Sequence, residues 1–155
     1  MLQRIQSIYL LLAVLAIAAL FIFPLINNVY VDGQLSTIKI TGVYQDVNGQ
    51  QQNVKPFTAL SVLTGFVAVL PLVIIFLYNN RNLQKNVCYG AMLVIIGFSF
   101  WVSQTAKDVI GDALIGIGNY GVGVILLSLS ILFVLLAQKA IQRDDKLVKS
   151  ADRLR

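Results

Sequence analysis

Residues 57–78 read FTALSVLTGFVAVLPLVIIFLY, an unbroken run without a charged side chain. A helix needs about 20 such residues to cross ~30 Å of hydrocarbon, so the run predicts a membrane span. Further uncharged apolar stretches lie at 8–26, 87–102 and 120–137. Together they predict an all-α integral membrane fold with four transmembrane helices in a single domain over 1–155.

The composition narrows the chemistry. The chain is 57% hydrophobic and 12% charged, where a soluble domain averages ~25% charged. Histidine is absent and every acidic residue is Asp. Ionisable residues inside spans usually mark ion paths, proton relays or catalytic sites, and these stretches offer none. Histidine is the commonest general acid/base and metal ligand. The expectation is therefore no enzyme, no catalytic residue, no metal and no cofactor. The single cysteine, Cys88, cannot form an internal disulfide and reads as a small buried hydrophobe.

Arg4 before an apolar run imitates a signal peptide. The run is longer than a signal core, however, and no small-x-small cleavage site follows it. It reads as an uncleaved first span, with Pro24, Asn27 and Asn28 marking its exit.

Charge between the spans orients them. Arg4, Arg81, Lys85, Lys139, Arg143, Lys146, Lys149, Arg153 and Arg155 alternate onto one side, with Asp144, Asp145 and Asp152. Lys39, Lys55 and Lys107 fall on the other, with Asp32, Asp46, Asp108 and Asp112. The positive-inside rule then places both termini in the cytoplasm. The net charge of +5 thus reflects topology, and no direct nucleic-acid partner is expected.

The outer segment 27–56 reads as a small β-meander between the first two helices. Asp32-Gly33 and Asn48-Gly49 favour tight hairpin turns. Between them, alternation over 35–44 puts Ile38, Ile40 and Tyr44 on one face and Thr37, Lys39 and Thr41 on the other, as two or three strands require. That apolar face is either a docking platform or a self-packed cap over the helices. In the second outer loop, 103–119, Asp108 and Asp112 stand four apart but lack a third cation ligand. The loop ends in Gly116-Ile117-Gly118-Asn119-Tyr120-Gly121. The string matches a dinucleotide fingerprint, but without the strand before it and the βαβ context that fingerprint needs. Close helix approach, or an irregular start to the fourth span, explains Gly121 and Gly123 better.

Polar residues within the spans are neutral: Thr58, Ser61, Thr64, Ser99, Ser103, Ser128 and Ser130. Ser61, Thr64, Gly65 and Ala68 form a small, weakly polar stripe suited to close helix packing. Pro71 is expected to kink the second helix. Tyr9, Tyr78 and Trp101 lie near span ends, where such rings anchor at the interface.

The tail, 138–155, reads as a cytoplasmic amphipathic helix. Its apolar stripe is Ala140, Ile141, Leu147, Val148, Ala151 and Leu154, and Arg143, Lys146 and Arg153 form a basic flank. Asp145 and Lys149 make a favourable i,i+4 pair. Such a helix either lies on anionic lipid or docks on a protein.

The opening MLQRIQSIYLLL (1–12) and closing AIQRDDKLVKSADRLR (140–155) resemble the bacterial domain of unknown function family 4293, and the resemblance covers the full length. The final SADRLR is its most specific part. The resemblance implies a small inner-membrane protein of Gram-negative bacteria with four spans and no transferable catalytic residue. It also directs attention to the termini near Arg4 and Arg153.

The leading functional expectation is a non-catalytic accessory or scaffold subunit of a larger inner-membrane complex, with protein export or insertion machinery a natural setting. Its partners would be membrane lipids and larger membrane proteins. The candidate contacts are Arg4, Ile38, Ile40, Tyr44, Arg143, Leu147, Val148, Lys149, Ala151, Arg153 and Leu154. The alternative is a small oligomeric channel, transporter or lipid-handling protein.

Overall fold

The computed structural model describes residues 2–31, 33–47, 50–111 and 116–152. Helix α1 (Leu2–Ala19) leads into four strands, β1 (Ile26–Val31), β2 (Gln34–Lys39), β3 (Gly42–Val47) and β4 (Gln50–Pro56). Helices α2 (Thr58–Phe76), α3 (Arg81–Ile110) and α4 (Val122–Asp152) follow. The strands form one antiparallel meander in chain order. Each helix packs mainly on two neighbours: α1 on α2 and α4, and α3 on α2 and α4.

The all-α, four-transmembrane-helix expectation is corrected on both counts. The chain carries a four-stranded sheet over 26–56. Three helices are long and apolar enough to cross a membrane, in the segments Thr58–Phe76, Asn82–Ile110 and Val122–Val148. The apolar part of α1, Ile5–Ala19, is shorter. The apolar run 8–26 does not continue as helix because the backbone turns after Ala19 and Pro24 precedes β1. Leu25 and Ile26, which look like the end of a span, are 2% and 5% exposed and belong to the core shared by sheet and helices. They are packed against the sheet and helices instead of extending a membrane span.

The sheet also departs from the expected alternation. Residues 35–44 split into two strands at a two-residue turn, Ile40-Thr41, with Lys39 paired to Gly42. Crossing that turn inverts the pattern, because side chains alternate only along an unbroken strand. Ile38 therefore pairs with Val43, both buried, while Tyr44 pairs with Thr37 on the opposite face. Gly42 has φ 151°, and a Cβ there would stand 2.5 Å from the Lys55 carbonyl oxygen. Val31 pairs with Gln34 across the expected Asp32-Gly33 turn, and Gly33 has φ 79°. Val47 pairs with Gln50, while Asn48-Gly49 between them lies outside the described residues.

The core has two regions. At the sheet end, Ile17 of α1, Leu20 just after it, Val29, Ile38 and Ile40 of the sheet region, and Phe98 and Val102 of α3 share one cluster. At the far end, Leu10, Ile74, Cys88, Ala137 and Ile141 bring all four helices together. Cys88 is fully buried there, as a small hydrophobe would be.

The α2–α3 connection shows why this hairpin is tight. A single 3₁₀ turn, Leu77–Asn79, ends α2. The Asn80 side chain then accepts from Leu83 N at 3.2 Å, capping α3. Gln84, 4% exposed, donates to the Ile74 carbonyl at 3.1 Å, supplying one of the partners that helix ends lack. Pro71 lies buried inside α2, which continues past it. At its other end α3 runs beyond the expected 87–102, so Lys107 and Asp108 occupy its last turns before Gly111, φ 57°. The expected outer loop is correspondingly shorter, and Asp112 is outside the described residues.

Candidate interaction surfaces

The segment that imitates a nucleotide fingerprint is a structural seam. Gly121 N donates to Leu25 O at 2.8 Å and Gly123 N to Pro24 O at 2.9 Å. A Cβ on Gly121 would collide with the Pro24 carbonyl oxygen, and one on Gly123 would stand 2.8 Å from it. The two glycines let the start of α4 lie against the α1–β1 connection, a close approach to a loop and not to another helix. Asn119 completes the seam. Its amide donates to the carbonyls of Asn27 and Asn28 at 3.0 and 2.9 Å, and its side-chain oxygen accepts from Gly116 N at 2.9 Å. Asn28 has φ 53° beside the shift in register between Ile26 and Val29.

The docking-platform reading of the sheet fails on burial. Ile38 and Ile40 are 1% and 0% exposed. The turn that carries Ile40 is tied to α2: Phe57 N donates to Thr41 O at 3.0 Å, and Ser61 Oγ to Ile40 O at 3.3 Å. The sheet is thus a cap on the helix ends. Tyr44 is half-buried, hydrogen-bonded to the Thr41 hydroxyl at 2.9 Å and lying under Lys39 Nζ, 4.9 Å from the ring centroid. Edge strand β4 is exposed along its length. Its polar sequence ending in Lys55-Pro56 is of the kind that discourages edge-to-edge pairing.

The expected tail helix is the uninterrupted end of α4. No Gly or Pro occurs after Gly123 to break it. Its apolar stripe divides. Ile141 is buried in the far-end cluster, whereas Leu147 and Val148 are 51% and 41% exposed. Arg143 and Lys146 are exposed beside them. Asp145 accepts from Lys85 Nζ of α3 at 2.7 Å, and Gln142 donates to the Tyr89 hydroxyl of α3 at 3.1 Å. Lys149 and Ala151 lie in α4 and Arg4 lies in α1, but their side chains are not described; Arg153 and Leu154 lie outside the described residues.

Sequence reasoning missed three buried glutamines, Gln6, Gln84 and Gln138, each 4–5% exposed and contributed by α1, α3 and α4. The side-chain amides of Gln6 and Gln138 have no hydrogen-bond partner among the described residues. The signal was available for Gln138, which stands four residues after Val134 and three before Ile141 on the buried side of α4. The expected small-residue contact through Gly65 is absent, since a Cβ there would meet nothing within 4 Å. Thr64 is fully buried and donates to Leu60 O within its own helix at 2.7 Å.

At the sheet end, α3 and α4 part to leave a groove of about 250 Å³. Val102, Ala106, Leu127 and Ile131 form much of its wall, with Lys107 and Tyr120 at one end. Among the described residues no group of three or more His, Cys, Asp or Glu side chains is placed to hold a metal ion.

No curated protein matches the chain. The model of the family described as Domain of unknown function (DUF4293) matches residues 2–154, and the chain belongs to that family.

Proposed function

We propose that this membrane protein is a non-catalytic subunit of a larger bacterial inner-membrane complex, held to its partner through the end of α4. One observation carries the reading. Past the ion pair at Asp145, α4 continues to Asp152 with Leu147 and Val148 exposed beside Arg143 and Lys146. An apolar pair flanked by cations, on a helix already anchored at its base, fits the groove mode of helix recognition. Lys85, Lys139, Arg143 and Lys146 share this end of the molecule with the start of α1. We accordingly orient it toward the cytoplasm, with the sheet on the opposite side. Protein export or insertion machinery, which works at both faces of that membrane, is the proposed setting.

The test replaces the native protein with a chain ending after Lys146, which keeps the Lys85–Asp145 pair. Membranes are extracted in mild detergent and run on native gels, with mass spectrometry of the proteins that accompany each form. The full chain is expected to migrate with larger membrane proteins in fixed ratio, and the shortened chain to migrate alone at unchanged thermal stability. Full-length protein recovered alone under gentle extraction and cross-linking defeats the subunit reading. A shortened chain that keeps its partners defeats the role of the α4 end.

A further inference from the structure

We infer that the α3–α4 groove at the sheet end holds one anionic phospholipid, its phosphate against Lys107 and an acyl chain along the groove. This is independent of the α4-end contact.

The depth of Lys107 is the first argument. Lys85 and Lys107 bracket the apolar part of α3. Twenty-two residues of helix rise about 33 Å, close to the ~30 Å of a hydrocarbon core. With Lys85 at one interface, Lys107 reaches the headgroup level of the other. Tyr120, 55% exposed at the same end of the groove, belongs at that level too. Lys107 has no ion pair among the described residues. Its neighbour Asp108 is exposed and does not line the groove.

The second argument is the character and shape of the groove below Lys107. Ser99 and Ser128 both line it, yet Ser99 Oγ donates to Ile95 O at 2.8 Å and Ser128 Oγ to Val124 O at 3.5 Å. Their donor hydrogens are taken up by their own helices; the third lining hydroxyl, Ser103, stands one turn from Lys107 at the headgroup end, so the wall below it suits methylenes better than a polar solute. From Lys107 to Ser99 the helix descends about 12 Å, most of one leaflet's hydrocarbon. The groove, about 250 Å³, runs over that length between the two helices. An empty groove would forfeit dispersion contacts on both walls. Lys107 is the one charged residue of the described lining, which makes an anionic headgroup the better fit, since a zwitterionic lipid brings its own positive charge to the same place.

The test uses the full chain, purified and stripped of lipid in detergent. Native mass spectrometry follows retention of phosphatidylglycerol against phosphatidylcholine with matched acyl chains, with inorganic phosphate as competitor. We expect one phosphatidylglycerol per protein, favoured about fivefold, the size of one lysine–headgroup attraction. Lys107→Ala should bring the two lipids to parity and Lys107→Arg should keep the preference. Lys55→Ala, on the exposed strand β4, should change nothing. Ala106→Phe, which fills the groove, should abolish retention of both lipids. Parity in the unaltered protein, or an unchanged preference in Lys107→Ala, overturns the proposal. Displacement of the lipid by inorganic phosphate would reduce the site to an anion site and also overturn it. So would a second copy of the chain binding in place of lipid.

Discussion

Lys85 Nζ lies 2.7 Å from Asp145 Oδ2, joining the first turns of α3 to the extension of α4 across sixty residues of chain. The two side chains are 18% and 16% exposed, so water screens the pair less than it would a surface pair. The contact sets where the bundle ends and the exposed part of α4 begins.

Removing the ammonium with Lys85→Met should destabilise the protein by about 1 kcal/mol. Asp145→Lys should cost more, because it places two cations together. Lys85→Asp combined with Asp145→Lys should recover most of the loss. Thermal unfolding in detergent, read as a double-mutant cycle, checks this; purely additive effects would mean that the pair contributes nothing.

The seam at the start of α4 should tolerate no side chain at Gly121. Gly121→Ala forces its Cβ into the Pro24 carbonyl oxygen, and overpacking of this kind costs about 1–3 kcal/mol. Gly97→Ala is the contrast, since nothing lies within 4 Å of a Cβ there. That helical position should gain up to about 1 kcal/mol. Equal melting temperatures for the two variants would refute the seam.

Gln138 is 5% exposed and without a described partner. A buried amide left unpaired costs about 1–3 kcal/mol, so Gln138→Leu should raise the unfolding temperature. A fall would show that the amide is satisfied, for instance through water bound between the helices.

Ile40 and Leu147 separate core from contact surface. Ile40→Ala opens a cavity at a fully buried site and should cost about 2–5 kcal/mol. Leu147→Ala, at a residue 51% exposed, should change stability by less than about 0.5 kcal/mol while weakening co-purification with the partner. The opposite pattern would restore the sheet as the docking face.

Several features were legible from local sequence. The run 57–78 contains α2 whole, and Gly33 takes φ 79° between the paired Val31 and Gln34, because hydropathy and turn chemistry act within a few residues. Three long apolar helices follow from the same local signal. The terminal motifs pointed to the family that matches residues 2–154. The reading of 8–26 as one span failed because hydropathy cannot tell an apolar residue facing lipid from one facing a sheet. Leu25 and Ile26 are the instance. The face assignment of Ile38, Ile40 and Tyr44 failed because a turn at Ile40-Thr41, without a Gly or Asn inside it, inverts the alternation.

Sequence by itself determined that this chain carries long uncharged apolar stretches, that its charge sits between and after those stretches, and that residues 27–56 favour strands and tight turns. These follow from the local free energy of moving residues from water to hydrocarbon and from backbone preference. Only the tertiary structure decided that Ile40 is core while Leu147 is surface, that Lys85 holds Asp145, and that α3 and α4 part beside Lys107. Burial and pairing depend on which distant segments arrive at the same place, and residues of identical hydropathy meet different neighbours once the helices and sheet have packed.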